Sequence, residues 1–350
     1  MEQVNLGINM KQEIEEIKNS LFQTITSFKA SSINNLPHNL NEFKNICIVG
    51  CGTSYHSGLI GKQIIENYLN IPCETIIANE FEINSKILNK KTLFIFVSQS
   101  GKTTDVLNAL NKVQLLKSKT LAITNTPSSP LHNACNYSIL LSAGEEKAIA
   151  STKAFNCQIL AFLMFAINFS THKPIKALEK LENTINKINF ANHKPKNLPE
   201  VSKAISNHNI VYFLGKNQNY IFAQEGALKL KETCYIHTVA MPTLEILHGT
   251  LASFTDKNFV VVFVSPNDNI EQVNKVLSEI KQCNSPIAIF SPLNKKLFKN
   301  NYDYFVQTPK LSPELSHILE IIPFQWLAYL TSISLGNNPD SPRRLVKAVI

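Results

Sequence analysis

The segment FIFVSQSGKTT, residues 94–104, constrains the fold more than any other stretch. Its four apolar residues, 94–97, read as a buried parallel strand. The strand runs straight into Ser98, Gln99, Ser100, Gly101, Lys102, Thr103 and Thr104, and the following VLNALNKVQLL spaces its apolar residues like an amphipathic helix. A strand that ends in small hydroxyls and one glycine, just before a helix, is where an α/β chain holds a phosphate. The free N–H groups of the first helical turn point at the anion, and the helix dipole adds to the attraction. An ordinary Ser/Thr N-cap is the competing reading, and four hydroxyls around one glycine favour the phosphate. The spacing is neither the Walker pattern nor GxGxxG, so no nucleotide is implied.

The rest of the chain repeats this unit. Residues 10–34 read as one helix, followed by a polar link with Pro37. NICIVG (45–50) reads as a strand and CGTSYHSG opens a helix to Leu69. Strands are expected at 73–78, 91–97, from Leu121 and at 136–141, and AGEEKAIAST (143–152) leads into a long apolar helix ending near Phe169. Residues 172–196 turn lysine-, glutamate- and asparagine-rich at helical spacing, a connecting helix. The segment 209–232 then parallels 45–66, and 259–277 parallels 94–110. In the second copy SQSGKTT has become SPNDN, which loses the hydroxyls and gains an Asp, so one phosphate pocket is expected rather than two. A last helix is expected at 312–335, with Trp326, and GNNPDSPRRLVKAVI as an ordered, non-helical tail. The expected fold is α/β: two similar three-layer α/β/α domains with mostly parallel, flavodoxin-like sheets. The boundaries read as an N-terminal helix at 1–36, domains at 37–171 and 200–336, a linker at 172–199 and a tail at 337–350.

Composition excludes several classes. No apolar run reads as long enough for a membrane span, and the acidic, polar start is no signal peptide. Seven cysteines, at 47, 51, 73, 135, 157, 234 and 283, form no CxxC pair. That argues for a reducing compartment, the cytoplasm, and against a disulfide frame or zinc knuckle. The formal charge of +8 is carried by dispersed lysines, with arginine at 343 and 344 alone. Without an aromatic-basic stripe this reads as a solvated surface, not a nucleic-acid interface.

Three further places could carry chemistry. In GALKLKETCYIH, Lys229 and Glu232 sit three apart on an expected helix whose apolar flanks suggest burial; a buried carboxylate can move protons, and a surface ion pair is the alternative. In MPTLEILHGT, Glu245 and His248 are again three apart, although a His before Gly is commonly a helix C-terminal residue. Lys347 matters only if the tail folds over a pocket, where a desolvated Lys can meet a carbonyl. Together these suit proton transfer beside a sugar carbonyl.

The ordered motifs CGTSYHSG, SQSGKTTD, AGEEKAIASTKAF, GALKLKETCYIH, LEILHG and DSPRRLVKAV resemble the isomerase part of glutamine–fructose-6-phosphate transaminase, and more closely the stand-alone proteins built from two sugar isomerase (SIS) domains. The resemblance runs from about residue 10 to 350. It implies that Thr53, Ser54, Ser98, Gln99, Ser100 and Thr103 hold the sugar phosphate and nearby hydroxyls, and that Ile149 and Ser151 line the sugar. It implies Glu232 as the acid–base residue between carbons 1 and 2, with Lys229 beside it. His248 would be the ring-opening histidine, shared across a homodimer, and Lys347 the tail lysine that meets the keto sugar. No metal or organic cofactor belongs to this chemistry.

The departures from the transaminase are expected to decide the function. The chain opens Met1-Glu2, with no cysteine nucleophile of a glutaminase domain, and its first helix matches the start of the isomerase part. Lys147 and Leu247 look like the SIS-type deaminases, whereas CGTSYHSG and IIANEF look like the synthase. The expected function is a glucosamine-6-phosphate deaminase giving fructose 6-phosphate and ammonia. The alternatives are the isomerase module of a synthase, a fructosamine-phosphate deglycase, and a non-enzymatic sugar-phosphate sensor.

Overall fold

A computed structural model describes residues 6–83 and 88–347. They begin with α1 (Ile8–Glu15) and α2 (Ile17–Ala30). The first alternation is β1 (Asn45–Gly50), α3 (Gly52–Leu69), β2 (Cys73–Ile77), β3 (Thr92–Val97), α4 (Thr104–Leu115), β4 (Lys119–Thr124), α5 (Pro130–Ala134), β5 (Tyr137–Leu140) and α6 (Lys153–Ser170). After α7 (Pro174–Lys187) and α8 (Leu198–Ile205) comes the second: β6 (Ile210–Gly215), α9 (Gln218–Cys234), β7 (His237–Pro242), β8 (Asn258–Phe263), α10 (Ile270–Gln282), β9 (Ile287–Ser291), β10 (Tyr304–Gln307), α11 (Pro313–Leu319) and α12 (Ile322–Ser334).

Two five-stranded sheets result, ordered β2-β1-β3-β4-β5 and β10-β9-β8-β6-β7, with parallel pairing throughout. Each domain's own strands thus run 2-1-3-4-5, the flavodoxin-like order. Parallel strands covered on both faces must be apolar throughout, which is why TLFIFV and NFVVVF show no alternation and are wholly buried. Cys47, Val49, Phe94 and Phe96 share a core with Val106, Leu110 and Val113 of α4. Order reverses between β1 and β3 and again between β6 and β8, so each domain has a crevice at the carboxyl ends of those strands.

By compactness the chain divides into one unit of Met1–Ile14, Ala148–Ala150 and Asn189–Leu345, and another of Glu15–Lys147, Ser151–Ile188 and Val346–Ile350. In the first, Asp340 anchors the tail: its carboxylate accepts the N–H groups of Asn9 (2.9 Å) and Met10 (2.7 Å) at the start of α1. A carboxylate is at home on those unsatisfied donors.

Several expectations need correction. The helix expected over 10–34 is two helices, parted at Glu16, whose carboxylate takes the Lys153 ammonium (2.7 Å). The last helix is likewise broken at 320–321, because Pro323 in the first turn of α12 has no N–H for a continuous ladder. Strand β7 was hidden, since HTVAMP lacks an apolar run. By length and composition α6 could cross a membrane, contrary to the sequence reading, yet 83% of its window is buried inside the fold. It packs against α2, α3 and α7 as a core helix.

Candidate active site

The turn after β3 is clamped by its own hydroxyls. Ser98 is 2% exposed, and its Oγ accepts the Gly101 N–H (3.1 Å) and bonds Thr103 Oγ1 (3.0 Å). The Gln99 carbonyl accepts Asn125 N–H (3.0 Å), and Ser100 Oγ accepts Lys102 N–H (3.2 Å). Gly101 has φ +63°, and a Cβ there would lie 2.1 Å from Ser129 Oγ. The turn delivers the chain into α4, whose first turn no side chain caps. Gly101→Ala is therefore expected to weaken orthophosphate or hexose 6-phosphate binding at least about tenfold and to cost roughly 2 kcal/mol of stability. Calorimetric titration and urea unfolding check this; unaltered affinity would remove the turn's shape from the argument.

The turn after β1 stands beside it, on the neighbouring strand at the reversal point. Thr53 and Ser54 lie in the uncapped first turn of α3, and Ser54 Oγ accepts a hydrogen bond from the Gln158 side-chain amide of α6 (3.0 Å). The six expected phosphate residues thus divide between two adjacent strand-to-helix turns, the usual crevice for an anion in an open parallel sheet.

A residue that the sequence reading missed organises the next segment. Glu146 is fully enclosed, and its carboxylate accepts Thr152 N–H (2.8 Å), Ala154 N–H (3.2 Å), Ser151 Oγ–H (2.9 Å) and the Lys347 ammonium (2.9 Å). Burial raises its pKa, but the Lys347 charge and bond and the two backbone donors outweigh burial and hold it below the ordinary value. The carboxylate caps α6 and ties down both Ser151 and Lys347, two expected site residues. The signal was available: an acidic pair six to eight residues before the first turn of an apolar helix, with a lone Lys in the tail. Ile149 donates its N–H to the Asp340 carbonyl (3.2 Å). Lys147 is exposed beside Glu145 (3.8 Å).

In the other unit, α9 carries a line of charge. Lys229 is 1% exposed and bridges Glu232 (2.6 Å) and Glu225 (3.4 Å). The sequence reading put the buried acid at Glu232, but that side chain is 22% exposed and Glu225 is the one enclosed, at 1%. One helical turn separates each pair, so spacing alone could have found Glu225. Glu232 thus has one edge open to solvent and one fixed by an ammonium, an arrangement that lets a carboxylate exchange a proton with a ligand. His248 is exposed and ends a short 3-10 turn; its backbone N–H bonds the Glu245 carbonyl (3.0 Å). Leu247 packs on the second sheet's core.

The second domain's own reversal point has diverged. Asn217, at φ +53°, occupies the place of Gly52 at φ +51°. In the corresponding turn between β8 and α10 stands Asp268, whose carboxylate accepts the Ser265 N–H (2.8 Å). Glu320 lies nearby, bonded by Gln218 (3.3 Å), and burial and the charge of Asp268 push it up to about 7. The chain's own carboxyls thus stand where the first domain keeps its hydroxyls. Among the described residues no cluster suited to a metal ion is present.

The SIS-domain description matches residues 39–168 and 204–335. The chain belongs to the SIS family. Among similar proteins is the glutamine–fructose-6-phosphate aminotransferase (isomerizing) of Buchnera aphidicola subsp. Baizongia pistaciae, 37% identical over 97% of this chain and 58% of its own length. The chain spans little more than half of the curated relatives it matches. The C-terminal domain of glucosamine-fructose-6-phosphate aminotransferase from Francisella tularensis superposes with a TM-score of 0.84 at 29% identity, covering 98% of this chain and 100% of that one. A glucosamine-6-phosphate deaminase of Thermotoga maritima shares the fold, with a TM-score of 0.74 at 23% identity, covering 97% and 99%. Two SIS domains therefore account for both sheets.

Proposed function

We propose that this SIS protein interconverts glucosamine 6-phosphate with fructose 6-phosphate and ammonia, and that in dilute ammonia it runs as a deaminase. The observation that carries this reading is Glu232, a carboxylate fixed by a buried lysine on one edge and open on the other. The hydroxyl turns at 53–54 and 98–103 hold the phosphate. Glu232 takes the proton from carbon 2 and returns it to carbon 1, turning the aldose into a ketose imine. Water adds to the imine carbon, and ammonia leaves. In the same reading His248 of a second copy serves ring opening, which fits its exposure here, and seven free thiols fit the cytoplasm.

Incubating the pure protein with glucosamine 6-phosphate and measuring ammonia tests the reading. Release of stoichiometric ammonium and fructose 6-phosphate is expected. Turnover of a fructosamine phosphate in place of glucosamine 6-phosphate would replace it with a deglycase. A second reading, the isomerising half of a glutamine-dependent synthase, is favoured by the 37% identity to a protein of which this chain spans 58%. Net synthesis from fructose 6-phosphate with a glutaminase, and negligible deamination, would select it.

A further inference from the structure

Gln158 is 1% exposed on α6, yet its side chain meets one polar group, Ser54 Oγ, and its Oε1 has no partner among the described residues. A leucine would fill this place without leaving a buried oxygen unpaired. The amide is turned so that its NH2 faces Ser54, which leaves the carbonyl oxygen and one N–H unpaired among the described residues; the reverse orientation would leave both N–H donors unpaired, and orphaned donors are the rarer of the two.

A hydroxyl that accepts from an amide has its own proton left to give elsewhere. The same logic holds one strand away. Ser98 Oγ accepts the Gly101 N–H and bonds Thr103 Oγ1, where either hydroxyl can donate, so the pair keeps one O–H proton to give. Both turns thus keep an O–H proton to give, beside an N–H that the turn's serine oxygen accepts. Only an acceptor-rich ligand profits from such a lining, and a phosphate offers acceptors alone. The packing that brings Gln158 to Ser54 is specific. A Cβ on Gly61 of α3 would lie 2.6 Å from the ring of Phe162, one turn beyond Gln158, so glycine lets α6 approach.

We propose that Gln158 is a positioning residue that sets the polarity of the phosphate cradle by holding the Ser54 proton toward the ligand. This rests on the phosphate-binding part of the proposed function and not on its chemical step. The probe is fructose 6-phosphate, measured by titration calorimetry beside KM and kcat for deamination, with urea unfolding of every variant.

Gln158→Glu presents an acceptor to Ser54 and reverses the hydroxyl; affinity for fructose 6-phosphate is expected to fall about 10- to 100-fold, with kcat within about twofold. Gln158→Leu removes the donor and the orphan oxygen together. It is expected to bind about threefold to tenfold more weakly while unfolding no more easily than the natural chain, a split that a merely structural residue does not give. In a Ser54→Ala background either change is expected to have no further effect on affinity. Undiminished affinity in Gln158→Leu, or losses that simply add to that of Ser54→Ala, would overturn the proposal, as would a natural chain that binds neither fructose 6-phosphate nor orthophosphate. If the chain binds fructose 6-phosphate in this pattern but releases no ammonia, the deaminase reading fails and the role of Gln158 stands.

Discussion

Glu232→Gln is expected to lower kcat for ammonia release about a thousandfold, the usual scale for removing a general base. The amide keeps the shape and can still receive a hydrogen bond from the Lys229 ammonium, which lies 2.6 Å from the carboxylate in the natural chain. It cannot take the proton from carbon 2. The affinity for fructose 6-phosphate is expected to stay within about threefold, because binding and proton transfer are separate tasks. Stopped-flow or coupled assays of ammonia, beside calorimetric titration, read both quantities. A variant that retains a tenth of natural turnover would sink the assignment of Glu232, and equal loss of binding and turnover would point to misfolding instead. Glu225→Gln makes a useful contrast. Its partner Lys229 is just as buried, so the change leaves an ammonium short of one counter-charge in the interior and is expected to show first in unfolding.

The second expected result concerns stability and pH. His193 is 1% exposed, and neither ring nitrogen completes a hydrogen bond among the described residues. Burial drives its pKa down to about 4, against a weaker opposing pull from the Leu319 backbone. Its folded pKa is below the unfolded value, so the unfolded chain binds the proton first. Stability from this group is present above the unfolded value and is lost as pH falls from about 6.5 to 4, by roughly 3 kcal/mol. Glu320 works in the opposite direction. Its folded pKa is raised to about 7, so its contribution is present below its unfolded value and is lost as pH climbs through 7, again by roughly 3 kcal/mol.

In the natural chain these two slopes oppose each other, and the pair is expected to leave a flat profile between about pH 4.5 and 6.5. Each single variant exposes the other slope. His193→Phe is expected to lose stability as pH rises through that window, and Glu320→Gln to lose it as pH falls. Urea unfolding at half-unit pH steps measures both. Parallel profiles for the natural chain and both variants would show that neither group titrates differently on folding.

How much of this was legible in the sequence differs by feature. Apolar runs such as TLFIFV and FVVVF announce buried parallel strands because both faces are covered, and the hydroxyl-rich turn announces itself by composition. HTVAMP was not legible, since an edge strand pairs on one side and tolerates His and Pro. The split of the last helix was half legible through Pro323. Glu146 was missed because a charge is read as surface unless its partner is known, whereas Glu225 stands one helical turn from Lys229 and its spacing already pointed to it. Glu146's partner lies 201 residues away, at Lys347.

The sequence by itself determined the class of the chain: two α/β repeats of one topology, a hydroxyl turn in the first and a carboxyl-bearing turn in the second. Those features are local, and strand burial, helix periodicity and turn chemistry act over a few residues. Tertiary structure decided which charges are enclosed, that the Gln158 amide meets Ser54, and that the tail's Lys347 closes on Glu146. Each of those outcomes depends on groups distant in sequence meeting in a medium where an unpaired charge or donor is costly, and only the folded packing brings them together.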